Sequence, residues 1–190
     1  MYNEENKDYM SVPKGLAFVD PKQVIRQLSV GVGDTVADFG AGSGYFSFEF
    51  ARVVGSEGAV YALDVLPSAL EAITSRAKTL GLSNVVPQRV NLERPNGSGL
   101  GSNSIDWVIV KDVLMQNQDK ATILREVVRV LKPDGRAIII EWHPHEETVG
   151  PDRETRIAPE QLKIWLKEAG LEVVEEPRVG GFHYAFIVKK

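Results

Sequence analysis

The sequence contains no cysteine. That absence alone excludes disulfides, thiolate metal sites and a cysteine nucleophile. Long apolar runs are missing too: nothing approaches the roughly 18 residues needed to span a bilayer. The opening MYNEENKDYM is polar and acidic, without the apolar core of a signal peptide. There is no basic excess, since 22 Lys and Arg stand against 26 Asp and Glu for a net charge of −4. A dedicated polyanion binder shows the opposite balance, which argues against a nucleic-acid partner. Histidine is scarce, with only His143, His145 and His183. Together these absences make a soluble, cytoplasmic protein the expectation. What remains is 190 residues, 43% hydrophobic and 25% charged, enough for a single domain over 1–190 with a sizeable core.

Residues 1–20 show no clear period and read as an N-terminal arm. Asp20-Pro21 reads as a helix cap and first helical residue, opening an amphipathic helix over 21–30. An alternation follows: strand TVADFG, helix SGYFSFEFARVVG with Phe46, Phe50 and Val53 on its inner face, strand AVYALD, and a helix from Pro67 to Leu80 closed by Gly81. VVPQRV is a third strand, placed at an edge by Pro87. IDWVIV, a helix over 119–131, a turn at LKPDG and the apolar RAIIIEW come next. Ala158 to Ala169 is a helix, and LEVVEEPRV and FHYAFIVKK form two strands with a hairpin signal at Gly180-Gly181. No internal repeat is present. The pattern predicts an α/β, Rossmann-like three-layer sandwich: a mostly parallel seven-stranded sheet with an antiparallel C-terminal hairpin.

DFGAGSGYF stands where the first strand turns into a helix. Ligands of such sheets bind outside the carboxyl ends of the strands. Three glycines, Gly40, Gly42 and Gly44, let backbone come close to something there. The dinucleotide fingerprint G-x-G-x-x-G wants its third glycine at 45, where Tyr45 stands, and the P-loop wants a lysine that is missing. An NAD-dependent oxidoreductase is therefore a further alternative, and so is a glycine-rich turn that only lets helix pack on strand.

D-F-G-A-G-S-G, with an acid two residues before the first glycine, resembles the glycine loop of class I S-adenosylmethionine-dependent methyltransferases. The resemblance extends to Asp64 at the end of VYALD, to Asn91-Leu92 after the third strand, and to SIDWVIVKDVL and LKPDGRAIIIE. It covers most of residues 20–190 and is similar to the small ubiquinone/menaquinone C-methyltransferase-like group. It implies S-adenosyl-L-methionine as cofactor and S-adenosyl-L-homocysteine as product. The implied contacts are Asp38 to the amino group, Gly40, Ala41, Gly42 and Gly44 along the methionine and ribose, Asp64 and Val65 at the ribose, Asn91 and Leu92 at the adenine, and Lys111 beside the methionine part. Asn91 departs from the aspartate that the family often has there.

The acceptor is expected to be a small molecule, with an RNA or protein methyltransferase as the alternative. A non-catalytic cofactor-binding partner of another protein is a further reading, one that would need a large exposed apolar patch. The chain has no [DN]-P-P-[FYW] after the fourth strand, where it reads VKDVLMQ; the resemblance then argues against amino methylation of DNA bases and glutamines. Glu141, His143 and His183 are the candidate acceptor-side residues, with imidazole the natural base near neutral pH. His143-x-His145 has metal-pair spacing, but no third ligand is evident and no metal is expected. The arm over 1–20 and the segment over 143–158 are expected lids, and Phe18, Met115 and Trp142 candidate apolar walls.

Overall fold

The computed structural model describes residues 18–144 and 149–190. Most of the expected arm, and His145, lie outside the described residues. Asp20 caps α1 (Pro21–Ile25), its Oδ1 accepting the Lys22 amide at 2.9 Å, with Pro21 at the first helical position. The helix is shorter than the expected 21–30, because the Gln27 and Leu28 amides bond three residues back to Val24 and Ile25 and tighten the chain into a 3₁₀-type turn. The other elements are β1 (Thr35–Phe39), α2 (Tyr45–Val54), β2 (Ala59–Asp64), α3 (Pro67–Leu80), β3 (Val85–Arg89), β4 (Ile105–Lys111), α4 (Lys120–Val130), β5 (Leu131–Trp142), α5 (Pro159–Glu168), β6 (Glu172–Glu175) and β7 (His183–Lys189).

The seven strands form one sheet in the order β3-β2-β1-β4-β5-β7-β6. The first five are parallel, and β7 runs antiparallel to β5 and β6. This is the α/β Rossmann-like sandwich the pattern predicts. Strand order reverses beside β1, whose neighbours are β2 and β4, so a crevice opens at their carboxyl ends. Pro87 does lie in the edge strand. On one face Val24, Phe46, Phe50 and Ile73 pack on Ile109 and Ile138; on the other Ile123, Val127, Leu162 and Leu166 pack on Phe39 and Phe186. Each such side chain contributes about 1.5–3 kcal/mol by leaving water.

Three local expectations need correction. In α2 the inner stripe is Phe46, Phe50 and Val54, at steps of four; Val53 is 38% exposed. LKPDG is not a free turn between α4 and β5 but an irregularity inside β5, whose pairing with β4 jumps from Ile105↔Leu131 to Trp107↔Arg136. The last two strands are not joined by a tight glycine turn, because β6 stops at Glu175 and β7 starts at His183. No described helix is long and apolar enough to cross a membrane.

Candidate active site

The glycine loop leaves β1 and is pinned at once, Gly40 and Ala41 donating their amides to the Leu63 carbonyl of β2 at 2.8 and 2.9 Å. All three glycines adopt positive φ: 74° at Gly40, 52° at Gly42 and 79° at Gly44. Their surroundings differ. A Cβ on Gly40 would stand 2.4 Å from Cγ2 of Val113, and one on Gly44 2.8 Å from the Phe48 ring. Those two are small because the protein packs against them. A Cβ on Gly42 would meet no atom of the described residues within 4 Å. Gly42 is the glycine whose backbone faces open space.

Two carboxylates flank it. Asp38, near the end of β1, is 4% exposed and accepts the Ser47 hydroxyl on Oδ2 at 2.5 Å. Burial pushes its carboxyl up to about 6, against the pull of Ser47. Asp64, at the end of β2, accepts the Gly42 amide on Oδ2 at 2.8 Å and the Leu66 amide on Oδ1 at 2.9 Å. Asp64 thus holds the loop in shape with one lone pair of each oxygen and keeps the others. Val65 and Leu66 follow it as exposed apolar side chains. Asn91 turns its Oδ1 onto the Glu93 amide at 3.0 Å, a loop-asparagine turn, while Leu92 is buried. Lys111 ends β4 with its ammonium on the Asp112 carboxylate.

Across the crevice, the ends of β4, β5 and β7 collect a second polar set. Asp112 takes a left-handed backbone, φ 56°, and donates its amide to the Ile140 carbonyl at 2.9 Å. Burial raises its carboxyl, but His183 and Lys111 outweigh that and hold it below the usual range. His183 places Nε2 3.3 Å from Asp112 Oδ1, and its ring lies 4.2 Å from that of Trp142. Glu141 is fully buried and accepts the Leu114 amide on Oε1 at 3.0 Å. Burial first, and then the Asp112 carboxylate, push it up to about 8, so it is largely protonated at neutral pH.

Of the candidate acceptor-side residues, His183 and Glu141 both border Asp112, whereas His143 turns its ring edge-on to Tyr184 at 6.0 Å. Phe18, Phe182, Trp142 and His183 form a run of rings at 5.2, 6.3 and 4.2 Å. Phe18 and Trp142 are therefore neighbours of the site, while Met115 packs on the core of the opposite face. Arg156 lies 5.4 Å over Trp142 and donates to the carbonyls of His143, Val149 and Pro151. That clamp folds the expected 143–158 lid, where described, onto the Trp142 ring. Among the described residues no group of three His, Cys, Asp or Glu could hold a metal. Sequence reasoning missed Ser47 and Asp112. Ser47 sits one turn into α2, facing back toward β1, and Asp112 was visible only as the acid after Lys111 in VKD.

This strand order, with a glycine loop after β1 and acids ending β1 and β2, defines the Rossmann-like methyltransferase class. The crystal structure of a SAM dependent methyltransferase from Aquifex aeolicus is similar, with a TM-score of 0.83, 27% identity, and coverage of 93% of this chain and 92% of that one. The model of the family described as "Methyltransferase domain" matches residues 31–172. The chain belongs to the class I S-adenosylmethionine-dependent methyltransferases. It is similar to the ubiquinone/menaquinone biosynthesis C-methyltransferase UbiE of Haemophilus ducreyi, 34% identical over 112 residues, or 58% of this chain and 42% of that protein. It is also 29% identical to the protein of the same name from Enterobacter sp. over 174 residues, 75% of this chain and 68% of that one. The chain thus spans less than half of the first of these relatives.

Proposed function

We propose that this methyltransferase, built as one domain, holds S-adenosyl-L-methionine over β1 and β2 and methylates a small molecule held over β4, β5 and β7. The observation that carries the donor half is the open face of Gly42 between two buried carboxylates. A ligand with an ammonium group and a ribose, but no phosphate, fits that set. Asp38 would hold the ammonium, directly or through water. Asp64 would use its remaining lone pairs on the ribose hydroxyls. Gly40, Ala41, Gly42 and Gly44 would supply the close backbone, Val65 a contact beside the ribose, Asn91 and Leu92 the adenine side, and Lys111 the backbone beside the methionine part. When bound, the cofactor supplies a methyl group already activated on a sulfonium.

On the acceptor side, the run of rings from Phe18 to His183 favours a planar, largely apolar molecule. The similar proteins are named as C-methyltransferases of ubiquinone/menaquinone biosynthesis, which supports a small-molecule acceptor methylated on carbon. Holding the reacting atoms in line can supply roughly 7–11 kcal/mol of the barrier, so positioning is the main task of the pocket walls. The test is a calorimetric titration with S-adenosylhomocysteine and with NAD, followed by a methyl-acceptor screen of small aromatic compounds, RNA and protein. Binding of S-adenosylhomocysteine alone, with transfer to a small aromatic, is expected. Binding of NAD, or transfer only to RNA or protein, would overturn the reading.

A further inference from the structure

His183 is 94% buried by its 6% exposure, yet neither ring nitrogen has a hydrogen-bond partner among the described residues. Oδ1 of Asp112 and Oε2 of Glu141 are likewise buried and unpartnered. Buried polar atoms are nearly always satisfied; Nε2 and Oδ1 stand opposite one another, which leaves Nδ1 of His183 and Oε2 of Glu141, at the ends of adjacent strands, for a ligand or its water. We propose that Asp112 and His183 form the proton-accepting pair of the acceptor site, Asp112 orienting the imidazole through Nε2 while Nδ1 takes the proton that the acceptor gives up. This rests on the small-molecule methyltransferase reading above.

The geometry supports each part. Nε2 faces Oδ1 of Asp112 at 3.3 Å, which is ion-pair distance but off the line of a hydrogen bond. Catalytic hydrogen bonds are often long before substrate arrives and tighten in the complex. Nδ1 is left as the nitrogen not turned to a carboxylate. The Trp142 ring packs against the imidazole at 4.2 Å, tilted by 41°, and limits its rotation. Asp112 is aimed by a backbone in the left-handed region, which side chains rarely adopt, and such conformations gather at functional sites. The next residue, Val113, packs directly on Gly40, so the pair is tied to the donor loop. Lys111 and Glu141 also face Asp112, Tyr184 lies on the opposite face of β7 with its hydroxyl on Ile157, and Arg156 stacks on Trp142.

The step balances simply. The acceptor's bond to hydrogen breaks and its proton moves to Nδ1. The acidic bond is an O–H conjugated with the accepting carbon. The pair left behind, delocalised onto that carbon, forms the new bond to the methyl carbon while sulfur keeps the pair of the broken sulfur–carbon bond. The ring C–H proton is then lost as the oxygen is reprotonated. The imidazolium, facing the Asp112 carboxylate, then returns its proton to water.

Nitrogen-15 NMR of the full-length protein bound to S-adenosylhomocysteine tests this. With three histidines in the chain, His183→Gln assigns the signal. The expected spectrum shows Nε2 protonated and Nδ1 bare, and Asp112→Asn converts it to a mixture of tautomers. A proton on Nδ1, or no change in Asp112→Asn, overturns the pair. Calorimetry separates the two levels: failure of the wild type to bind S-adenosylhomocysteine defeats the methyltransfer reading, whereas tight binding with the wrong tautomer defeats only the proton-accepting pair.

Discussion

The two sides of the crevice are built from different materials. On the proposed donor side, β1 and β2 present mainly backbone: a loop of left-handed glycines, pinned by the Leu63 carbonyl, with Asp38 and Asp64 each already engaged by a neighbour. On the proposed acceptor side, β4, β5 and β7 present side chains, and several of their buried polar atoms have no hydrogen-bond partner among the described residues. A donor that never changes suits a surface whose shape is set by the chain itself. An acceptor that differs from enzyme to enzyme suits interchangeable side chains on the same strand ends.

The contrast can be broken most severely at Glu141. Its carboxyl is raised from 4.5 to about 8, so the charged form is disfavoured in the folded protein. The stability it permits is complete below about pH 4.5 and is lost as pH rises toward 8, on the order of 5 kcal/mol in all. Urea unfolding should therefore show the wild type weakening over that range, and Glu141→Gln should flatten the decline. On the donor side, Asp64→Ala removes the Gly42 anchor and the proposed ribose acceptor together. S-adenosylhomocysteine affinity should fall about 300-fold by calorimetry, in line with roughly 1.5–3 kcal/mol for each hydrogen bond to a charged group; unchanged affinity would take Asp64 out of the site. His183→Gln should sharpen the contrast, lowering kcat about 100-fold with the acceptor found by screening while S-adenosylhomocysteine binds as before. Equal losses in both would erase the division between the two sides. The smallest effect belongs to Asp38. Because its carboxyl titrates at about 6, cofactor affinity should drop about tenfold at pH 5 as the ammonium partner is neutralised, and Asp38→Asn should abolish that pH dependence.

The donor side was far more legible in the sequence. D-F-G-A-G-S-G is contiguous, and the strand-end acids announce themselves by alternation alone. Pro87 and Gly81 marked an edge and a helix end for equally local reasons. The acceptor side could not be read that way. His183 and Asp112 meet only because β4 and β7 flank β5 on its two sides and their ends converge over it, and no spacing rule encodes that neighbourhood. His143 and His183 were both candidates on the chemistry of imidazole alone, and it is His183, paired across from Trp142, that reaches the acid. Ser47 was hidden for a related reason: its value lies in which way a helical turn faces, not in what surrounds it along the chain.

The left-handed backbone at Asp112 restricts the routes open to this enzyme in evolution. Besides glycine, only asparagine and aspartate visit that conformation readily. A mutation that keeps the turn can reach asparagine through a single side-chain atom, which removes the charge and leaves the shape intact. The scaffold thus has a ready path along which it can shed proton-accepting chemistry without unfolding, and regain it by the same step in reverse. Descendants that have lost one acceptor and not yet acquired another would carry asparagine at this position in an otherwise unaltered site.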